Sequence, residues 1–387
     1  MNKKIEITFA ILLRFIQTME QQFYYVLMPI LVIGLNSSVH KIKLTVSWYF
    51  LGIMTSIFFS GALLDRYGLK KCYGVSLVLV IVGSVICIDS HDAFHMMLGR
   101  CLQGLGFGTM QVLSKKIIAH EHQPFLYNLY LIFMMIAPPI GMLLTTWILS
   151  QYTWPLCFVF FLGCACVPAV LVWPWVESPS HARKSSLLMQ FKYYDAFLRD
   201  RRLIPLVLSY SLSTAMSAPY YMTVTYTSTE ILHESAYVLT WIASLFAVVG
   251  VLGSMLGIIS VHRAMERTIM PLGFGFILSG TLGLWGAALL WPPSFFWIVA
   301  PFALCILGTC FFYAKFCIII VEAYAFISRS EMVAILAFSS ALISVLSTYL
   351  CSFHNHTTLL DTSRLLLGMS VLSMFLYQLS MRSPNKS

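Results

Sequence analysis

The sequence predicts an all-α membrane protein of twelve transmembrane helices, arranged as two halves of six. Three observations carry that prediction. Of the 387 residues, 59% are hydrophobic and only 10% charged, too apolar a chain to present a wetted surface as a soluble globule. The apolar residues gather into twelve runs, most near the ~20 residues needed to cross roughly 30 Å of hydrocarbon. One sizeable polar connection, 177–202, divides these runs six and six.

The runs fall at 6–34, 43–63, 72–89, 95–114, 126–148 and 155–176, then at 203–226, 236–260, 268–290, 296–325, 331–351 and 363–381. Met1 to Lys4 ahead of the first run has the outline of a signal peptide. The run is too long, holds Glu20 and lacks a small-residue cleavage site, so it reads as the first span. An even number of spans puts both termini on one side. Of 24 basic residues, Lys41, Lys43 and Arg364 fall on the opposite side and Arg14, Arg100 and Lys315 fall inside spans; the rest share the side of the N-terminus. That bias predicts cytoplasmic termini in an inner membrane. The net charge of +9 therefore expresses topology, and nucleic acid is not an expected partner. The connection 177–202 carries Leu188, Phe191, Tyr194 and Phe197 at helical spacing with Lys192, Arg199, Arg201 and Arg202 beside them, the pattern of a helix lying at the membrane surface. It joins bundles of 1–176 and 203–387. The ten cysteines sit in apolar runs without CxxC spacing and read as small hydrophobes.

Between the second and third runs lies Gly61-Ala-Leu-Leu-Asp65-Arg66-Tyr-Gly68-Leu-Lys70-Lys71, a charged, helix-breaking hairpin suited to a membrane surface. It resembles motif A of the major facilitator superfamily: Gly61, Asp65, Arg66, Gly68, Lys70 and Lys71 match, and only Leu69 departs. Arg100, Gln103, Gly104, Gly106 and Gly108 on the fourth run resemble motif B. Ala137-Pro138-Pro139-Ile140-Gly141 on the fifth resembles motif C of the drug:proton antiporters, with Met142 where a second glycine is usual; its simplest reading is a helix kink supported by neighbours. The resemblance extends to the twelve-span antiporters of the bicyclomycin and chloramphenicol resistance branch. It implies the major facilitator fold, two six-helix bundles with pseudo-twofold symmetry, each built from inverted three-helix repeats, with a cargo site near midplane between spans one, four, seven and ten. Motif A is then a gating latch. In the second half, Gly257 to Arg267 occupies the equivalent loop without the acid or the second glycine.

Charges within spans cost about 2.5–3.5 kcal/mol each on insertion scales and face a bundle interior or cavity. On the first span Arg14, Gln17, Glu20, Gln21 and Tyr24 fall within about 120° of one another at 100° per residue, a polar stripe expected to face the cavity. Glu20 near mid-span is suited to carry a proton; equally, it is placed to be locked against Arg100 or Gln103. The acid that relatives carry in this span falls here on Gln22. Lys315 on the tenth run lies near mid-membrane, and Glu322, a heptad later on the same face, near the cytoplasmic end. The expected cargo contacts are Arg14, Gln17, Gln21, Tyr24, Arg100, Gln103 and Lys315, with Glu20 and Glu322 for proton coupling. Tyr210, Tyr220, Tyr221 and Tyr226 on the seventh run are further candidates to line the cavity. His354 and His356 lack further ligands and read as solvated loop residues, not as a metal site.

Three mid-membrane cations against one acid predict an anionic cargo. The expected function is proton-coupled efflux of a small amphipathic or anionic compound by a monomeric protein, with a proton gradient as the energy source and no cofactor. The rivals are a transporter of a polar anionic metabolite, such as a carboxylate siderophore or amino acid, and a transport-inactive sensor with the same fold. No nucleophile with its base, phosphate loop or metal cluster speaks for an enzyme.

Overall fold

The computed structural model describes residues 3–120, 124–171, 194, 197–231, 237–262, 266–289, 295–322, 329–353 and 359–382. They form long helices: α1 (Lys3–Gly34), α2 (Val39–Ile88), α3 (Ala93–His120), α4 (Pro124–Gln151), α5 (Pro155–Leu171), α6 (Leu203–Ala215) and α7 (Ser217–Tyr226). A π-helical turn, Thr227–Ile231, extends α7. There follow α8 (Tyr237–His262), α9 (Glu266–Leu289), α10 (Phe295–Glu322), α11 (Arg329–Ser352) and α12 (Leu359–Arg382). Each expected run is accounted for. α2 carries the second and third, and α6 with α7 makes up the seventh.

The expected hairpin loop of Gly61 to Lys71 is not a loop. Helical pairing continues through it, broken only at Gly68, where φ is 78° and ψ 168°. That conformation is essentially open to glycine alone, so one residue makes the whole bend. Ser38 caps the start of α2, its hydroxyl accepting from the amide of Lys41. Asp200 caps α6 through the amides of Arg202 and Leu203.

The packing is pseudo-twofold. α1 lies on α4 as α6 lies on α11, and α3 packs on both arms of α2 as α10 packs on α8 and α9. The halves meet where α2 touches α11 and α4 touches α8. Between α2 and α3 the backbones themselves touch: a Cβ on Gly52 would strike the carbonyl of Cys101, and one on Gly104 the carbonyl of Tyr49. In lipid, where burial of apolar surface does not drive helices together, such small-residue contacts hold them. α4 runs unbroken through Pro138 and Pro139, while Gly141 lets the helix close on the Met19 carbonyl of α1.

Eight described segments are long and apolar enough to cross a membrane on those grounds alone, and the chain is a multi-pass integral membrane protein. α1 and α3 fall short of that mark because they carry the buried polar groups. Most of the segment 177–202 lies outside the described residues. Its Tyr194 packs against Phe58 of α2 and Phe338 of α11, ring centroids 4.8 and 5.4 Å away, and Phe197 is buried; these two expected interfacial side chains therefore pack on protein.

Candidate functional site

A cavity of about 330 Å³ lies at the centre of the bundle. One wall comes from the first half of the chain: Arg14, Thr18, Gln21 and Gln22 of α1, Gln111 and Lys115 of α3, and Met134, Met135 and Pro138 of α4. The other comes from the second half, with Tyr210 on α6, Tyr221 on α7, Phe246 on α8, and Phe302 and Tyr313 on α10, interspersed with Thr214, Ser340 and Ser344. No carboxylate lines it among the described residues.

The polar stripe of α1 splits in two, because a stripe that wide meets two different neighbours. Arg14 and Gln21 face the cavity. The Arg14 guanidinium donates to the amide oxygen of Gln17, and its Nε and Nη2 lie 3.3 and 3.1 Å from the Met134 sulfur. Gln17, itself buried, donates onward to Gln111 at 3.4 Å. Glu20 and Tyr24 turn instead toward α2 and α3. Glu20 pairs with Arg100 in an ion pair whose side chains are almost wholly buried, and it accepts from the Tyr49 hydroxyl at 2.9 Å. Arg100 is held between the rings of Tyr24 and Tyr49, 4.3 and 4.1 Å from their centroids. It also donates to Gln103 at 2.8 Å, and Gln103 donates to Ser84. This network fastens α1, α2 and α3 together beside the cavity without lining it.

Of the expected cargo contacts, Arg14 and Gln21 line the cavity, Gln17 supports Arg14, and Tyr24, Arg100 and Gln103 belong to the buried network. Lys315 does not line it. It follows Tyr313, which does, by two residues and so falls on another face of α10. The side chains of Glu322 and Asp65 lie outside the described residues, so the backbone alone places them, on α10 and α2. Of the four tyrosines of the seventh run, Tyr210 and Tyr221 line the cavity, whereas Tyr220 and Tyr226 are packed between helices. Gln22, Gln111, Lys115 and Met134 were not expected as cavity groups. The amide oxygen of Gln22 is buried with no hydrogen-bond partner among the described residues. Lys115, assigned to a loop, is brought in because α3 runs on to His120.

At the end opposite the termini the halves are closed against each other. Ser47 donates to Thr348 at 3.0 Å, His40 meets the Ser352 carbonyl, and the rings of Tyr25 and Tyr221 stack with centroids 5.5 Å apart. Lys43 corrects the loop assignment made for it. α2 starts four residues before its apolar run, so Lys43 is fully buried within the helix, 4.7 Å from the centroid of the Tyr226 ring. Such a contact offsets part of a buried ammonium's desolvation. No group of three His, Cys, Asp or Glu side chains suited to a metal occurs among the described residues.

A membrane-embedded helical bundle of two related halves, with a partly polar cavity at its centre and contacts between the halves sealing one end, places the chain in a family. The chain belongs to the Major Facilitator Superfamily, whose sequence pattern matches residues 10–348. It is 26% identical over 187 residues to the multidrug resistance protein MdtL of Klebsiella pneumoniae (strain 342), a match covering 43% of this chain and 47% of that protein. It is also 26% identical over 162 residues to the uncharacterized MFS-type transporter YhcA of Bacillus subtilis (strain 168), covering 41% and 30%. The chain thus spans about half the length, or less, of these curated relatives. The fold is that of the xylose transporter XylE from E. coli in its inward-open conformation (TM-score 0.75, 13% identity, 98% of this chain and 96% of that one). It is likewise that of the nucleoside transporter NupG (TM-score 0.69, 13% identity, 97% and 99%).

Proposed function

We propose that the chain is a proton-coupled exporter of small amphipathic anions, working by alternating access in the inner membrane with both termini in the cytoplasm. The observation that carries this reading is Arg14: an intramembrane guanidinium in the cavity whose described partners are a neutral amide and a thioether. Guanidinium matches carboxylate or phosphate geometry with paired donors, and a thioether is a weak acceptor that an anion readily displaces. The name of the MdtL relatives supports export. With the far end closed, the cavity belongs to the cytoplasm-facing half of the cycle. Glu20 is the coupling residue in this reading. Protonation of Glu20 removes the charge that Arg100 is paired with and frees the network joining α1 to α2 and α3. Motif A, with Asp65, acts as the latch between access states.

Proteoliposomes with an imposed pH gradient test it. A labelled aromatic or aliphatic carboxylate is expected to accumulate against its own gradient, and Glu20→Gln to abolish accumulation while binding persists. Accumulation of lipophilic cations instead would overturn the anion assignment. Binding without any accumulation would identify a sensor.

A further inference from the structure

The two walls of the cavity differ in kind, and the difference says more about the ligand than its charge does. Every charged group and every carboxamide lining it comes from α1 and α3, whereas α6, α7, α8 and α10 contribute five of its six aromatic rings, with hydroxyls but no charge, among the described lining residues. The rings form two clusters along that wall, Tyr210 with Tyr313 and Tyr221 with Phe246 and Phe302. Tyr210 and Tyr313 have centroids 5.6 Å apart, Phe246 and Phe302 5.5 Å, and Tyr221 and Phe246 6.1 Å. The rigidity of the second cluster comes from behind, where the buried Tyr220 stacks on Phe302 at 3.6 Å and an interplanar angle of 3° and donates to the Ile298 carbonyl. On the facing wall Arg14 rests on a thioether and a neutral amide, which leave its donors weakly met. Unsatisfied buried polar groups are costly. A cavity that leaves such donors on one side and offers a preformed aromatic surface on the other is built for a molecule with one polar end and one flat end.

We infer that the ligand is a ring-bearing carboxylate, held with its acid group on Arg14 and its ring against Tyr210, Tyr313 and Phe246; this rests on the anionic-cargo reading above and goes beyond it. A volume of about 330 Å³, at the low end of the ~300–1,000 Å³ of ligand pockets, sets the size at one or two rings. Aromatic pairs favour offset or edge-on geometry, so the ring end supplies orientation as well as burial. An aliphatic acid of equal length keeps the charge contact and some apolar burial but not the ring–ring geometry, and a neutral ring keeps only the surface.

Calorimetric titration of the purified full chain in nanodiscs with 1-naphthoate, octanoate and 1-naphthamide separates the two contributions. Wild type is expected to bind naphthoate about tenfold more tightly than either other probe. Arg14→Gln is expected to weaken both acids by about tenfold, as loss of a charge-assisted hydrogen bond implies, and to spare naphthamide. Tyr313→Leu is expected to weaken naphthoate and naphthamide and spare octanoate, with Tyr313→Phe restoring the wild-type values. Phe246→Leu makes the same comparison if thermal melting shows Tyr313→Leu unfolded. Equal affinities for naphthoate and octanoate, equal losses for both in the ring variants, or no naphthoate binding by folded wild type would overturn the ring requirement and leave the anion reading standing. Equal losses for acids and amide in Arg14→Gln would overturn the anion reading and this inference with it.

Discussion

The two halves of the molecule use one fold and two kinds of internal cement. In the first, beside hydroxyl pairs such as Ser56 with Thr109, α1, α2 and α3 are joined by a buried ion pair, Glu20 with Arg100, flanked by Tyr24, Tyr49 and Gln103. In the second, neutral hydroxyls do the joining: Ser209 and Ser373 donate to each other's carbonyls between α6 and α12, Thr281 meets Ser370, and Thr223 meets Thr362. Hydroxyls that also satisfy their own helix are a low-cost way of holding helices in lipid. A buried ion pair must offset a desolvation cost that often exceeds its Coulombic gain. The fold therefore does not require the ion pair. Its presence on the charged side of the cavity marks the half where charge is managed, and the second half is the scaffold and the apolar wall.

The sharpest test of this contrast is Arg100→Ala, which strands Glu20 in the bundle. It is expected to cost on the order of 3–5 kcal/mol of stability, read as a large fall in the thermal unfolding midpoint; an unchanged midpoint would break the comparison. Next comes Arg14→Gln. Its partners are weak, so stability is expected to hold while binding of carboxylates falls about tenfold, near the lower end of what a charge-assisted hydrogen bond is worth. Lys315→Ala, off the cavity, is expected to leave carboxylate binding unchanged, and a loss matching that of Arg14→Gln would move the anion site to α10. Gly104→Ala pushes a methyl group into the Tyr49 carbonyl across α2 and α3 and is expected to destabilise by about 1–3 kcal/mol. Gly286→Ala in the second half meets open space and is expected to be silent. The smallest loss of stability belongs to Ser373→Ala, about 0.5–1.5 kcal/mol for a net hydrogen bond.

Much of the fold could be read directly, because span length and hydropathy are local properties: each run became a helix or part of one. The stripe on α1 was equally visible. Its division was not, since whether Glu20 looks at the cavity or at Arg100 depends on a partner 80 residues away. Lys43 and Lys115 were misplaced for a simpler reason. Helices extend past their apolar cores, so a cation at the edge of a run can be drawn inside. Tyr210 and Tyr221 stood out on the seventh run, but Phe246 and Phe302 had no such mark in a chain with aromatics everywhere. Met134 had none either, and only the packing of α4 on α1 shows why a thioether sits against a guanidinium.

The distance between Glu20 and Arg100 along the chain has a consequence for biosynthesis. α1 leaves the ribosome carrying Arg14, Glu20 and three glutamines, and its counter-charge follows only with α3. Until then each exposed charge on α1 costs about 2.5–3.5 kcal/mol in the bilayer, so α1 is made before α3 but settles only with it. Chains truncated after Ile88 are expected to show α1 incompletely inserted in a topology-reporter assay, and chains extended through His120 to show it secured. Full insertion of the shorter chain would mean that α1 needs no help from Arg100.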